Sequence, residues 1–203
     1  MKKNLGNFFK THWLVLAPMA GVNDPIFRQL CIENGAMLTY TEMVSSKALS
    51  FKNEKTKNLL QLASNESQVV VQLFGHEPNV MAQQVRNVEL QLGEKLAYID
   101  INMGCPARKI VKKGDGAALM KTPELAAEIV GACNDACDAP ISVKFRRGYN
   151  VGDDVSLQFA KQIAGAGASA LCVHGRYATQ FYKGEADFSC AEKIASEVDV
   201  PII

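Results

Sequence analysis

The sequence contains no long hydrophobic run. No apolar stretch in its 203 residues approaches the roughly 20 residues that a transmembrane helix requires. Residues 1–6 include two lysines, but no apolar block with a small-residue cleavage site follows them, so a secretory signal peptide is not indicated. We therefore expect a cytoplasmic protein that does not enter a membrane. No oligomeric state is predicted.

Neither charge sign is in excess, and the cysteines lack the spacing of a metal or dithiol motif. Basic residues number 22 and acidic residues 21, so composition alone does not indicate a polyanionic partner. Cys133 and Cys137 are four residues apart in a helical pattern, which suits a helix face better than a zinc site. We expect no bound metal, and we expect these two cysteines to be small buried side chains, as we do Cys31, Cys172 and Cys190.

Short apolar runs alternate with amphipathic stretches along the whole chain. The runs lie at residues 14–18, 37–43, 69–74, 97–102, 141–146, 169–174 and 200–203. Strands that alternate with helices predict a parallel sheet, either open and doubly wound or closed into a barrel. The turn after the first run, residues 17–21, lacks the glycine fingerprint of a dinucleotide-binding fold, which favours the (β/α)₈ barrel.

A complete barrel of this class usually needs about 250 residues. The last apolar run, residues 200–203, would begin a seventh strand. We therefore predict an α/β fold that is an incomplete (β/α)₈ TIM barrel, with about six strands plus the start of the seventh. Residues 1–203 are treated as one domain.

Lone polar residues stand at or near the carboxyl ends of five predicted strands. They are Glu42, Gln72, Asn102, Lys144 and His174. Burying an unpaired polar group costs roughly 1–3 kcal/mol, and barrel enzymes place their active sites at this end of the strands. We interpret the set as a ligand site, for which an organic cofactor with hydrogen-bonding edges is a natural occupant. Solvated strand ends are the alternative for any single residue.

Basic residues concentrate in the loops that follow these strands. Twelve of the 22 lie there: Lys47, Lys52, Lys55, Lys57, Arg108, Lys109, Lys112, Lys113, Arg146, Arg147, Arg176 and Lys183. Such a face would attract a polyanion through phosphate contacts and counterion release. A solvated surface of mixed charge is the alternative, because acidic residues also lie in these loops.

Cys105 differs from the other cysteines. It lies just past the fourth predicted strand, between Gly104 and Pro106, which favour a tight turn. A thiol keeps its proton at neutral pH and can give it to a carbanion-like centre. Cys105 is therefore a candidate acid, although spacing alone favours an inert cysteine.

Five segments carry a resemblance that runs in order through nearly the whole chain. They are LAPMAG at 16–21, TEMVS at 41–45, VQL at 71–73, DINMGCP at 100–106 and VHGR at 173–176; GDGAALM at 114–120 also fits. On these segments the chain resembles the tRNA-dihydrouridine synthase family, and the block around Cys105 is the most specific.

The resemblance implies a flavin-dependent oxidoreductase that reduces the C5=C6 bond of specific uridines in tRNA. FMN would lie at the mouth of the barrel, with NADPH or NADH as the reductant. Cys105 would be the catalytic proton donor to C5, and Asn102 and Arg176 would bind the substrate. The cofactor contacts implied by the resemblance are Pro18, Met19, Ala20, Gln72, Lys144 and His174.

The chain departs from the family pattern in two places. After Arg176 the family commonly continues with Thr-Arg, whereas this chain has Tyr177 and Ala178, which removes one basic group from the expected RNA-binding side chains. The family's later strands, its flavin-phosphate loops and its C-terminal helical tRNA-binding domain are absent from the 203 residues, so we expect this chain to bind flavin weakly. Two alternatives stay open: a flavin barrel acting on a free pyrimidine, of the dihydroorotate-dehydrogenase type, and a non-catalytic tRNA-binding fragment.

Overall fold

Six parallel strands alternate with helices in the computed structural model of the protein, which describes residues 5–203. The strands are β1 (Val15–Leu16), β2 (Leu38–Ser45), β3 (Val69–Phe74), β4 (Leu96–Met103), β5 (Ile141–Arg146) and β6 (Ala170–His174). The α-helices are α1 (Leu5–Thr11), α2 (Pro25–Glu33), α3 (Ser46–Ser50), α4 (Glu54–Asn58), α5 (Pro78–Leu92), α6 (Arg108–Val111), α7 (Pro123–Ala136), α8 (Ser156–Gly165) and α9 (Ser189–Ala195). Short 3₁₀ turns cover Gly93–Lys95, Gly116–Lys121 and Ala178–Gln180.

The strands lie in the sheet in the order in which they occur along the chain, β1 to β6. Every neighbouring pair is parallel. Beyond β6, Ile202 forms an isolated parallel bridge with Leu171, as the first pairing of a seventh strand would. The sheet curls into part of a barrel, which confirms the predicted incomplete (β/α)₈ barrel of six strands and the start of a seventh.

Three of the crossover helices begin with proline. Pro25, Pro78 and Pro123 occupy the first turns of α2, α5 and α7, where the missing N–H removes no helical hydrogen bond. In α2 the cap is complete, since the Asp24 carboxylate accepts from the Phe27 N–H at 2.7 Å. None of the helices among residues 5–203 is long and apolar enough to cross a membrane.

Two apolar clusters cover the two faces of the sheet. Because successive side chains on a strand point to opposite faces, Ile99, Ile101 and Val143 pack outward against the helices in the larger cluster. The smaller cluster lies inside the curl and contains Leu5, Leu38, Tyr40, Val70, Tyr98 and Ala170. Further along β3 and β4, at the same inward positions, the apolar residues give way to polar ones. The inner apolar cluster therefore lies directly beneath a group of polar residues at the carboxyl ends of the strands.

A buried ion pair ties α2 to the segment before β3. The Arg28 guanidinium donates to both oxygens of Glu66, at 2.6 and 3.0 Å, and both side chains are buried. Burial alone would raise the pKa of Glu66, but hydrogen bonds from Arg28, Thr39 and the Ala63 N–H outweigh burial and lower it. The pair is fully hydrogen-bonded, which is the condition under which a buried charge is tolerated.

All six cysteines are free thiols. Cys133, Cys137 and Cys190 are buried, as predicted, whereas Cys31 and Cys172 are only half-buried. Their exposure follows from position: Cys31 lies on the outer helix α2, and Cys172 faces into the open side of the curled sheet. Within residues 5–203 no group of three or more histidine, cysteine or acidic side chains could hold a metal ion.

Candidate active site at the carboxyl ends of the strands

A cleft of about 240 Å³ lies at the carboxyl ends of the strands. Its lining comes from the loop after β1, from β2 to β6 and from the loops after β4 and β6: Pro18, Met19, Ala20, Met43, Gln72, Asn102, Gly104, Cys105, Pro106, Lys144, Arg146, His174 and Tyr182. Of the site residues predicted from sequence, all but Arg176 and Glu42 line this cleft. Residues far apart in the chain therefore meet because parallel strands end at the same edge.

The Cys105 loop is held by hydrogen bonds from three directions. The Asn102 side-chain oxygen accepts from the N–H groups of Gly104 at 3.2 Å and of Cys105 at 2.9 Å. The Cys105 carbonyl accepts from the Ala117 N–H at 3.0 Å, and Arg146 Nε donates to the Gly104 carbonyl at 2.9 Å. The backbone that carries the half-buried thiol is thus fixed at the cleft.

Gly116 supports the same loop from below. Its φ is +60°, a conformation that residues with a side chain rarely adopt. A Cβ at this position would lie 2.7 Å from the Cys105 carbonyl oxygen, which is too close for non-bonded atoms. Gly116 is therefore required by the close approach of two backbones.

Beneath Cys105, a chain of buried polar side chains runs across three strands. Asp100 accepts from Ser142 Oγ at 2.5 Å and from Gln72 Nε2 at 2.7 Å, and Gln72 Oε1 accepts from Asn102 Nδ2 at 2.9 Å. Burial raises the pKa of Asp100 to about 6, although the two hydrogen bonds and the charge of Lys144 oppose the rise. Sequence reasoning missed Asp100, although its place two residues before Asn102 puts both on one face of β4.

Lys144 and His174 face the cleft from the neighbouring strands β5 and β6. The half-buried Lys144 ammonium has no hydrogen-bond acceptor within residues 5–203. Burial, helped by the charges of Arg146, Lys144 and Arg176, lowers the pKa of His174 to about 4. His174 is therefore neutral at physiological pH, while Lys144 is a cation available to a ligand.

Arg176 stands behind His174 and does not line the cleft. Its guanidinium donates to the Gly184 carbonyl at 2.9 and 3.3 Å. Its Nη1 lies 3.3 Å from His174 Nε2, and because arginine can only donate, the histidine nitrogen is the acceptor. The predicted substrate-binding residue thus orients another predicted site residue.

Glu42 is not part of the cleft lining, contrary to the sequence interpretation. The pairing of β2 with β3 shifts register between Tyr40 and Met43, so that Met43 lies opposite Gln72 and takes the inward position. The Glu42 carboxylate instead accepts from the Gly21 N–H. A shift of one residue along a strand exchanges its two faces. The apolar Met43 therefore lines the cleft where the polar Glu42 was expected.

Two of the loop cations predicted to form a basic face instead form hydrogen bonds and ion pairs within the protein. Arg146 is only 3% exposed, and its Nη1 donates to the carbonyls of Tyr177 at 3.1 Å and Phe181 at 2.8 Å. Arg147 forms ion pairs with Asp154 and Asp187, each at 2.7 Å. Both residues therefore fasten loops together, and neither offers a free charge to a partner.

A second group of loop cations is exposed and makes no ion pair within the described part of the chain. It lies on and directly after α6, next to Cys105, and consists of Arg108, Lys109, Lys112 and Lys113. We call this group the α6 cluster. It places four positive charges on one short segment beside Cys105.

Residues 15–203 match the family model described as dihydrouridine synthase (Dus). The chain belongs to the dihydrouridine synthase family. It is 36% identical over 199 residues to tRNA-dihydrouridine synthase B of Vibrio vulnificus (strain CMCP6), covering 98% of this chain and 61% of that protein. It is 38% identical over 199 residues to tRNA-dihydrouridine synthase B of Pseudomonas aeruginosa, covering 98% of this chain and 59% of that protein.

A solved structure of a variant of NCR from Zymomonas mobilis is also similar to this dihydrouridine synthase family member. The TM-score is 0.56 at 12% sequence identity, covering 93% of this chain and 72% of the other. At that identity the likeness concerns the fold alone. All of the cleft-lining residues lie within the range that the dihydrouridine synthase model matches.

Proposed function

We propose that residues 1–203 form the FMN-binding catalytic part of a tRNA-dihydrouridine synthase, which reduces the C5=C6 bond of specific uridines in tRNA. The observation that carries the proposal is Cys105 at the edge of a cleft that Gln72, Lys144 and His174 also line. The names of the relatives support the same substrate class.

The residues of the cleft fit a flavin. Lys144 is a half-buried cation without a protein acceptor among residues 5–203, and a flavin ring offers carbonyl oxygens and ring nitrogens along one edge. Pro18, Met19 and Ala20 would cover the ring on the side of the loop after β1. The cleft is smaller than the roughly 300–1,000 Å³ of typical ligand pockets, so we expect it to hold the ring and not the whole cofactor. When bound, the flavin supplies the hydride for C6 of the uracil, with NADPH or NADH as the source of electrons.

Cys105 would be the acid of the reaction. Its Sγ–H gives a proton to C5 of the uracil, and the thiolate that remains recovers a proton from solvent, which the half-exposed position allows. Hydrogen bonds with Asn102, Ala117 and Arg146 hold the backbone of the loop in one position. The protein thus contributes a donor whose position is set before the substrate arrives.

His174 would orient ligands as a neutral donor. Its lowered pKa keeps the ring uncharged, and its Nε2 accepts from Arg176, which leaves Nδ1–H free to donate. Lys144 places positive charge beside the same cleft, so groups on which negative charge develops would be stabilised there.

The α6 cluster would bind the tRNA backbone next to the cleft. Its four cations, which form no ion pairs within residues 5–203, lie on the loop side of Cys105, and phosphate contacts of this kind make binding dependent on salt concentration. The target uridine must leave its stack to reach the cleft, as base-modifying enzymes generally require. Phosphates held by α6 would flank the extruded nucleotide.

The test is the formation of dihydrouridine. The protein is incubated with FMN, NADPH and tRNA that lacks dihydrouridine, and the digested tRNA is examined by mass spectrometry for uridine that has gained two hydrogens. We expect wild-type protein to produce the gain and Cys105→Ala to lose most of it, in line with the roughly 10²–10⁴-fold that a general acid typically contributes.

The matched control is Cys31→Ala, which removes a half-buried thiol on α2 that does not line the cleft. Its activity should equal that of the wild type. Equal activity of Cys105→Ala and wild type would refute the role of the thiol. Reduction of free uracil or dihydroorotate chemistry in place of tRNA modification would refute the proposed substrate.

A further inference from the structure

We propose that Asp100 is a positioning residue for Cys105 and acts through the side-chain amides of Gln72 and Asn102. We call Asp100, Gln72 and Asn102 the Asp100 relay. The inference rests on the proposed function, since it explains how the proposed acid is aligned. Asp100 itself does not line the cleft and would touch neither flavin nor uridine.

The relay has a direction, and Asp100 sets it. An ionised carboxylate can only accept hydrogen bonds, whereas the end group of glutamine has one accepting end and one donating end. Asp100 accepts from Gln72 Nε2 at 2.7 Å, so the amide group of Gln72 must point its NH₂ toward Asp100. Gln72 Oε1 is thereby turned toward β4, where Asn102 lies.

The orientation of the Gln72 amide in turn fixes the orientation of the Asn102 amide next to the Cys105 loop. Asn102 Nδ2 donates to Gln72 Oε1 at 2.9 Å, so Asn102 Oδ1 must face the other way. It faces the backbone of the Cys105 loop and accepts from the Cys105 N–H at 2.9 Å. If the amide of Asn102 were reversed, NH₂ would meet N–H and the loop would lose its acceptor.

Because the relay is buried, water cannot replace its hydrogen bonds. Asp100 is 0% exposed, Gln72 1% and Asn102 9%, so water has little access to replace a missing partner. Ser142, the other donor to Asp100, occupies the second carboxylate oxygen and leaves Gln72 as the partner of the first. The outward core of β4 is supplied by Ile99 and Ile101, so the packing of the strand on its helices does not depend on Asp100.

The experiment measures hydrogen exchange at the Cys105 N–H by NMR, in protein without flavin or tRNA. Asp100→Leu removes the acceptor that sets the direction, and we expect exchange to accelerate about tenfold, the loss of one hydrogen bond. In the double variant Asp100→Asn/Gln72→Glu the acid and the amide exchange places. The carboxylate now at position 72 can only accept from Asn102, so protection should return to the wild-type level.

Ser142→Ala is the control, because it removes a neighbour of Asp100 outside the relay and should leave the exchange rate unchanged. Where Asp100→Leu does not fold, Gln72→Met breaks the relay one step later and should give the same acceleration. An unchanged rate in the folded single variant would overturn the proposal. So would a double variant as unprotected as Asp100→Leu, because the effect would then be one of packing.

Turnover separates this inference from the proposed function. In the dihydrouridine assay, Asp100→Leu should lower kcat while leaving the KM for tRNA unchanged, because the α6 cluster that would bind the tRNA backbone is not altered. If wild-type protein forms no dihydrouridine, the proposed function fails. The exchange measurements would still decide whether Asp100 orients the Cys105 loop.

Discussion

Replacing Asp100 by asparagine should stabilise the folded protein at neutral pH. The pKa of the buried carboxyl is raised from 3.8 to about 6 in the folded state, so the folded protein binds the proton more tightly than the unfolded chain. As pH rises through this window, the folded state must ionise a group that burial disfavours, and the free energy of unfolding falls. Asparagine carries no charge at any of these pH values.

The size of the effect follows from the two pKa values. At about 1.36 kcal/mol for each tenfold change in proton affinity, the ionised carboxylate destabilises the fold by about 3 kcal/mol above pH 6. The penalty is partly present at pH 5, so the gap between variant and wild type should widen by about 1.4 kcal/mol between pH 5 and pH 8. The titratable groups that face Asp100 are the same in both proteins: Lys144, Cys172, Tyr98 and Tyr40.

Urea unfolding followed by circular dichroism at both pH values measures the gap. Asp138→Asn, which removes an exposed carboxylate that forms no ion pair within residues 5–203, is the matched control and should show no widening. An Asp100→Asn protein that is less stable than wild type by the same amount at both pH values would refute the reasoning. That result would mean that the hydrogen bonds of Asp100 stabilise the fold by more than its buried charge destabilises it.

Glu66→Gln leaves the Arg28 guanidinium buried without its carboxylate, and we expect the free energy of unfolding at pH 7 to fall by about 3–5 kcal/mol. A fall under about 1 kcal/mol in urea denaturation, the value for a surface pair, would contradict this. Gly116→Ala forces a Cβ against the Cys105 carbonyl and should lower both Tm and the rate of dihydrouridine formation; an unchanged Tm would show that the loop yields without strain. The His174 ring should titrate near pH 4 in an NMR pH series, and a midpoint near the ordinary value of 6.5 would mean that the ring is solvated.

The order of the strands and the side of the barrel that carries the site could be predicted from sequence. Alternating apolar runs fix the βα repeat, and a period of two puts Lys144 and Arg146 on the face opposite Val143, as observed. These features depend only on local patterns. Gln72 and Asn102 line the same cleft, because both lie near the ends of neighbouring parallel strands.

What could not be predicted depends on contacts between distant segments. The register shift that exchanges Glu42 for Met43 is set by the pairing of β2 with β3, and no local pattern marks it. Arg146 becomes internal only because the carbonyls of Tyr177 and Phe181 close over it. The order of donors and acceptors from Asp100 to Cys105 likewise depends on three strands at once, which a reading along one strand does not reveal.

The order of the sheet also bears on how the protein is made. Each strand pairs with the one synthesised just before it, so the sheet can grow at one edge as the chain leaves the ribosome. A nascent chain that ends after β4 already contains Asp100, Gln72 and Asn102. The clamp on the Gly104 carbonyl arrives only with Arg146 on β5. We therefore expect Asn102 to orient the Cys105 loop first during synthesis, and Arg146 to fix it when β5 emerges.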